Sequence, residues 1–148
     1  MIAVNLGAPW LQGSSHASSQ AFGTVVHNLL TNIVTVNRMS LRQDARLPRL
    51  YSSGVRYIEE PPGYDSFVDI YEVLKVGGGD CAHLCAWRVA ELNESGENAT
   101  LCIEWRTWSD PHQPWHDPNK PKLFHVRVRR GNGQLEDPSV HLGMPVPP

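Results

Sequence analysis

Three residues in this chain have types and spacing that could do covalent chemistry. Cys81 follows Gly77-Gly78-Gly79-Asp80 and opens the run Ala82-His83-Leu84-Cys85-Ala86-Trp87-Arg88-Val89-Ala90-Glu91-Leu92. A glycine-rich turn that delivers a cysteine to the first turn of a helix places the sulfur among unpaired N–H groups, at the positive end of the helix dipole. Both favour thiolate over thiol. His125, within Leu123–Arg129, could take the thiol proton, and Asp137 could fix the imidazole's tautomer and orientation. The chemistry would be nucleophilic attack by sulfur. Taken singly, Cys81 and Cys85 read as small core residues and His125 as a surface strand residue. The order and context of all three together point to a nucleophile with its base.

Such a site needs elements to hold it. Relative to Cys81, the residues Cys85, Val89 and Leu92 lie at +4, +8 and +11, so Cys81 continues an inward-facing helical stripe. Arg88 and Glu91 read as helix-surface charges, and Gly96 ends the helix. Leu123–Arg129 reads as a strand with Phe124, Val126 and Val128 on one face and His125, Arg127 and Arg129 on the other, a face not wholly buried. Gly131-Asn132-Gly133 is a hairpin turn, and Gln134–Val140 is the expected return strand. If Asn132-Gly133 alone formed the turn, 128 would face 137 and Asp137 would lie on the opposite face from His125. If all three residues form the loop, 127 faces 137 and 125 faces 139. Asp137 is then one diagonal step from His125, at roughly 7–8 Å between backbones, within side-chain reach. A His125–Asp137 pair requires the second register.

The remaining chain divides by composition. Residues 1–21, with Gly-Ala-Pro at 7–9 and a serine-rich stretch at 13–19, read as a flexible N-terminal arm. Residues 22–142 read as one domain and 143–148 as an extended C-terminal tail. Phe22, Val25, Val26, Leu29, Leu30 and Ile33 recur at helical steps, with His27, Asn28, Thr31 and Asn32 on the polar side and Ser18 or Ser19 near the cap. Residues 38–52 read as continued helix, interrupted at Pro48. Arg56–Ile58 is a short extended piece, and Glu59 and Glu60 belong to a solvated loop. Phe67–Leu74 is a short turn or helix leading into the glycines. Ala99–Arg106 alternates as a half-buried strand. Residues 109–121 carry four prolines and two histidines and must be a loop.

Composition narrows the class. The chain has 148 residues, 41% hydrophobic and 19% charged, with a net charge of −2. Those values fit a soluble globular protein and give no reason to expect nucleic acid or an anionic membrane as partner. There is no apolar run of spanning length and no secretory start. Three cysteines make a disulfide framework a poor reading. The glycosylation sequons at Asn93 and Asn98 read as chance. A zinc set of Cys81, Cys85, His112 and His116 is the competing use of the cysteines, but the proline-rich loop between them suits it poorly. No metal or cofactor is expected. Trp108 and Trp115 are loop residues that could either aid an oxyanion or simply anchor the loop.

The stretch Gly79-Asp80-Cys81, the strand Phe124-His125-Val126-Arg127-Val128 and Glu136-Asp137-Pro138-Ser139 together resemble the transglutaminase-like superfamily of cysteine enzymes. Leu50–Tyr57, and Arg129–Gly133 through Leu142-Gly143-Met144, are similar to the small transglutaminase-like proteins of tailed bacteriophages, so the resemblance spans about residues 40–144. It implies an α+β, papain-like fold: N-terminal helices, and a cysteine-bearing helix packed on a small antiparallel sheet. It further implies catalytic Cys81, His125 and Asp137, acting on peptide or glutamine amide bonds in a peptide or protein substrate. The chain departs from the family in having Ala82-His83 where acidic residues often follow the cysteine. The alternative implied is a virion structural or assembly protein (head, connector or tail) with little or no activity, meeting other virion proteins through its terminal arms. Its place would be the virion or the host cytoplasm.

Overall fold

A computed structural model describes residues 3–6, 16–61, 65–106 and 123–145. The architecture is mixed α+β, with four helices and three small sheets among the described residues. Helix α1 (His16–Gln43) is followed by a short 3-10 turn at Leu50–Ser52. Strand β1 (Ala3–Leu6) pairs antiparallel with β3 (Asp65–Val68), and β2 (Arg56–Tyr57) pairs parallel with β4 (Gly78–Gly79). Helix α2 (Ile70–Val76) lies between β3 and β4, and α3 (Cys81–Glu94) follows them. The antiparallel sheet is β5 (Thr100–Arg106), β6 (Leu123–Arg129) and β7 (Leu135–Glu136), in that order, and α4 (Pro138–His141) closes the described fold.

Helix α1 keeps the expected amphipathic face. Val26, Leu30, Ile33 and Val34 are buried, while His27, Asn28, Thr31 and Asn32 are exposed. It differs at both ends: it begins at His16, inside the stretch read as arm, and stops at Gln43 rather than running on towards Pro48. Residues 3–6 of that arm form β1. At the other end Glu94 of α3 accepts hydrogen bonds from Arg38 and Arg42, each at 2.7 Å, and so ties the two helices together.

Helix α3 is the centre of the molecule. One side, with Cys81, Ala82, Cys85, Ala86, Val89 and Ala90, packs against α1 and against Val126 and Val128 of β6. The other, with Leu84 and Trp87, packs against Leu50, Val55, Ile70 and Val73. The small side chains let neighbours approach closely, and a helix apolar on all sides is a buried helix rather than a surface one. The expected single stripe is therefore wider, and Glu91, read as a surface charge, is buried at 8% exposure.

The glycine run does three separate jobs. Gly77 is the left-handed C-cap of α2, at φ 86°, where a side chain would be strained. Gly78 and Gly79 then form β4, so the expected loop is partly a strand. A Cβ at Gly78 would lie 2.2 Å from the Arg56 carbonyl oxygen, and one at Gly79 would lie 2.8 Å from His83 Cβ.

The hairpin pairs Val128 with Glu136 and Arg129 with Leu135. Continued, that register puts 127 opposite 137. Gly133 takes the left-handed position, at φ 86°, in the tight Arg130–Gln134 connection. The return strand stops at Glu136, shorter than the expected Gln134–Val140, because Asp137-Pro138 starts a helix there instead. Proline at the first helical position has no N–H to lose and a preset φ, and Asp137 caps the turn.

Candidate functional site

The start of α3 is built before Cys81 is placed on it. Asp80 is the N-cap, and its carboxylate accepts from the Ala82 and His83 N–H groups at 2.9 and 3.1 Å. The third helical residue, His83, reaches back so that its Nδ1 accepts from the Asp80 N–H at 3.2 Å. This is a capping box with histidine where Glu or Gln is usual. With Nδ1 accepting, Nε2 carries the proton and donates to the Ser66 carbonyl at 2.9 Å. Ser66 in turn donates to the Glu60 carboxylate through both its N–H and its hydroxyl. Glu60, read as a solvated loop residue, is half-buried, and burial raises its pKa.

Cys81 is the first residue of α3 and is 9% exposed. Burial pushes its thiol well above the ordinary range, helped by the charges of Asp80 and Asp137; backbone hydrogen bonds from Val126 and Ala82 pull the other way without prevailing. The expectation that the helix start favours a thiolate is therefore corrected. The dipole contributes about 0.3–1 kcal/mol, whereas full burial can shift a pKa by about 3–5 units at ~1.4 kcal/mol each. The cap carboxylate adds a negative charge where the dipole alone would have favoured one.

Val126 links the cysteine helix to the histidine strand. β7 pairs only with Val128 and Arg129, so the third strand does not extend alongside Val126. Its carbonyl accepts from the Cys85 thiol at 3.2 Å, and its backbone hydrogen-bonds the Cys81 sulfur. Buried backbone groups must find partners, and here two thiols serve.

His125 precedes Val126 on β6 and is 4% exposed, more buried than its arginine neighbours led us to expect. Its Nε2 lies 2.7 Å from Asp137 Oδ2. Asp137, the N-cap of α4, also accepts from the Val140 N–H at 3.3 Å through Oδ1. With Nε2–H donating to a carboxylate, Nδ1 is the ring nitrogen that can accept a proton. Asp137 acts on both other candidates: it bonds the histidine, and its charge reaches the Cys81 thiol.

A second cluster was missed in the sequence. Glu136, beside Asp137, accepts from Arg88 Nε at 2.7 Å, from Arg130 Nη1 at 2.7 Å and from the Tyr51 hydroxyl. Arg88 also donates to Glu91 at 3.2 Å, and Glu91 accepts from the Leu50 N–H. Arg88 and Glu91 are thus interior partners, not surface charges. In the sequence Glu136 stands only as the residue before Asp137, with nothing local to mark Arg88, Arg130 and Tyr51 as its partners.

Other candidates fare differently. His112, His116, Trp108 and Trp115 lie outside the described residues, and Cys85 is already bonded to Val126. Ligand atoms of Glu60, Asp80 and His83 lie within 4.8 Å of one another, but both ring nitrogens of His83 and Oδ1 of Asp80 are spent on the capping box and Ser66. Cys102 is half-buried, between Glu104 and Arg129. No described helix is long and apolar enough to cross a membrane. No family model, curated protein or solved structure matches the chain.

Proposed function

We propose that the protein is a transglutaminase-like thiol enzyme of papain-like fold, in which Cys81, His125 and Asp137 act on a peptide or glutamine amide. One observation carries this reading: the 2.7 Å bond from His125 to Asp137, formed beside the helix that begins with Cys81. Burial keeps the resting thiol neutral. The reaction then begins with transfer of the Cys81 proton to His125 Nδ1 as sulfur attacks the amide carbonyl carbon. His125 returns that proton to the leaving amine, and the C–N bond breaks to leave an acyl-thioester on Cys81. Water resolves it in a peptidase or amidase, and an amine resolves it in a transferase. Asp137 holds the imidazole and stabilises the imidazolium.

The test is labelling with a thiol-reactive amide mimic. Cys81 is expected to be modified selectively among Cys81, Cys85 and Cys102, and His125→Ala is expected to abolish that selectivity. Equal modification of all three cysteines in the native protein would overturn the reading. A second reading is a virion structural or assembly protein that keeps the fold, and a thiol raised by burial fits the little or no turnover that reading implies. Purified particles would then contain the chain at stoichiometric copy number, and its absence from them would rule that out.

A further inference from the structure

We propose that Glu136 and Arg88 are positioning residues that set Asp137 behind His125, a role that rests on the thiol-enzyme reading above. Regular structure around Asp137 is short on both sides. The strand before it has two residues and two ladder pairs, and the helix after it has four residues. Pro138 and Ser139 are buried and the Tyr57 N–H bonds the Leu142 carbonyl, but among the described residues the only side chain beside Asp137 that is gripped by charge is that of Glu136. Its carboxylate is gripped from three separate elements: Arg88 on α3, Arg130 at the hairpin and Tyr51 on the 3-10 turn. The Arg88 and Glu136 side chains are only 15% and 20% exposed, so these are charge-assisted bonds largely shielded from water.

The source of the grip matters as much as its strength. Arg88 lies seven residues after Cys81, which is two helical turns, or about 10 Å along the axis on nearly the same face. That face also carries Cys85. One face of α3 therefore holds β6 through Cys81 and Cys85 at Val126, and holds the turn bearing Asp137 through Arg88 at Glu136. Nucleophile, base and carboxylate share one rigid reference, so a shift of the turn relative to α3 would move Asp137 off the His125 ring. Tyr51 adds a second hold. Its ring lies 4.9 Å under the Arg88 guanidinium and 4.2 Å from the His141 ring of α4.

The experiment reads the histidine directly as well as the thiol. With 15N-labelled histidine, wild-type protein is expected to show His125 as the Nε2–H tautomer with a slowly exchanging ring proton. Glu136→Gln and Arg88→Met are expected to mix the tautomers and speed that exchange. Both should slow Cys81 labelling on the order of tenfold, as a small misplacement of reacting groups does. Arg38→Ala, which removes a comparable ion pair to Glu94 on the far side of α3, should change neither. If Glu136→Gln does not fold, Tyr51→Phe removes one hydrogen bond from the same carboxylate and keeps the ring, and should shift both readouts in the same direction. An unchanged His125 signature in a folded Glu136→Gln or Tyr51→Phe protein overturns the proposal. Failure of the thiol-enzyme reading looks different: His125→Ala leaves Cys81 labelling untouched, and the ring signature still decides whether Glu136 positions Asp137.

Discussion

Asp137 divides one carboxylate between two tasks, with Oδ2 on the His125 ring and Oδ1 on the N–H of Val140. The two can be separated by substitution. Asp137→Asn keeps a good N-cap and an oxygen for the His125 ring, so unfolding by urea should change by less than about 1 kcal/mol, whereas Asp137→Ala removes the cap and leaves the buried His125 ring N–H unpaired and should lose about 2–4 kcal/mol. Cys81 labelling should fall at least tenfold in both, because neither restores a charge opposite His125. A labelling rate that tracks stability across the pair, rather than charge, would reduce Asp137 to a helix cap. Cys81 is governed at the same scale by two opposed effects. Its helix start stabilises a thiolate, and its burial and neighbouring carboxylates destabilise one more strongly. In the thiol-enzyme reading proposed above, selective reactivity would come from proton transfer to His125 rather than from a standing thiolate.

At the scale of elements, β4 determines where α3 begins. Its two glycines bring the chain against β2 so closely that Gly78 has no room for a Cβ beside the Arg56 carbonyl. Gly79 leaves the space into which His83 folds to complete the capping box. Gly78→Ala should cost about 1–3 kcal/mol as an overpacking substitution. It should also weaken Cys81 selectivity, because the first turn of α3 would shift with β4. A Gly78→Ala protein of unchanged urea midpoint would mean that β2 moves aside freely. The hairpin shows a complementary logic. Its tight turn sets the register, but the strand ends after two residues, and the Glu136 side chain does the holding that a longer ladder would otherwise have done.

The whole molecule has a stability window bounded by two kinds of buried or paired group. On the acid side, Glu94 is depressed by Arg42 and Arg38, and Glu97 falls to about 2 through Arg130. Burial alone would raise Glu136, but the bonds from Arg88 and Tyr51 outweigh it and leave its pKa lowered. Depressed carboxylates contribute stability that is present above their unfolded value, near 4.3, and is lost as pH falls through the folded value. On the alkaline side the sign reverses. Burial raises Cys81 and Cys85, so the folded state holds their protons more tightly, and stability declines as pH rises above the unfolded thiol value of about 8.5. Urea midpoints should therefore fall below about pH 4 and again between about pH 8.5 and 10. The alkaline decline should be blunted in a Cys81→Ser, Cys85→Ser double variant, in which the hydroxyl introduced by Cys85→Ser can still donate to the Val126 carbonyl. The same decline in that variant would show that other groups set the limit.

Much of this fold was legible from local pattern. The buried stripe of α1, the helix after Asp80, the alternation of β5 and β6 and the loop at Gly131-Asn132-Gly133 all follow from near-neighbour preferences: periodicity, capping and the left-handed glycine at 133. The turn left two registers open, and the structure takes the three-residue loop, the one that brings Asp137 to the His125 side. Only the tertiary structure decided burial and pairing over long separations. Arg88 and Glu136 are 48 residues apart, and nothing in either segment announces the other. Because α3 runs between two apolar clusters, charges that would face water on a surface helix had to find partners inside. The same packing raises the Cys81 thiol by burial, where its helix start alone would have favoured the thiolate.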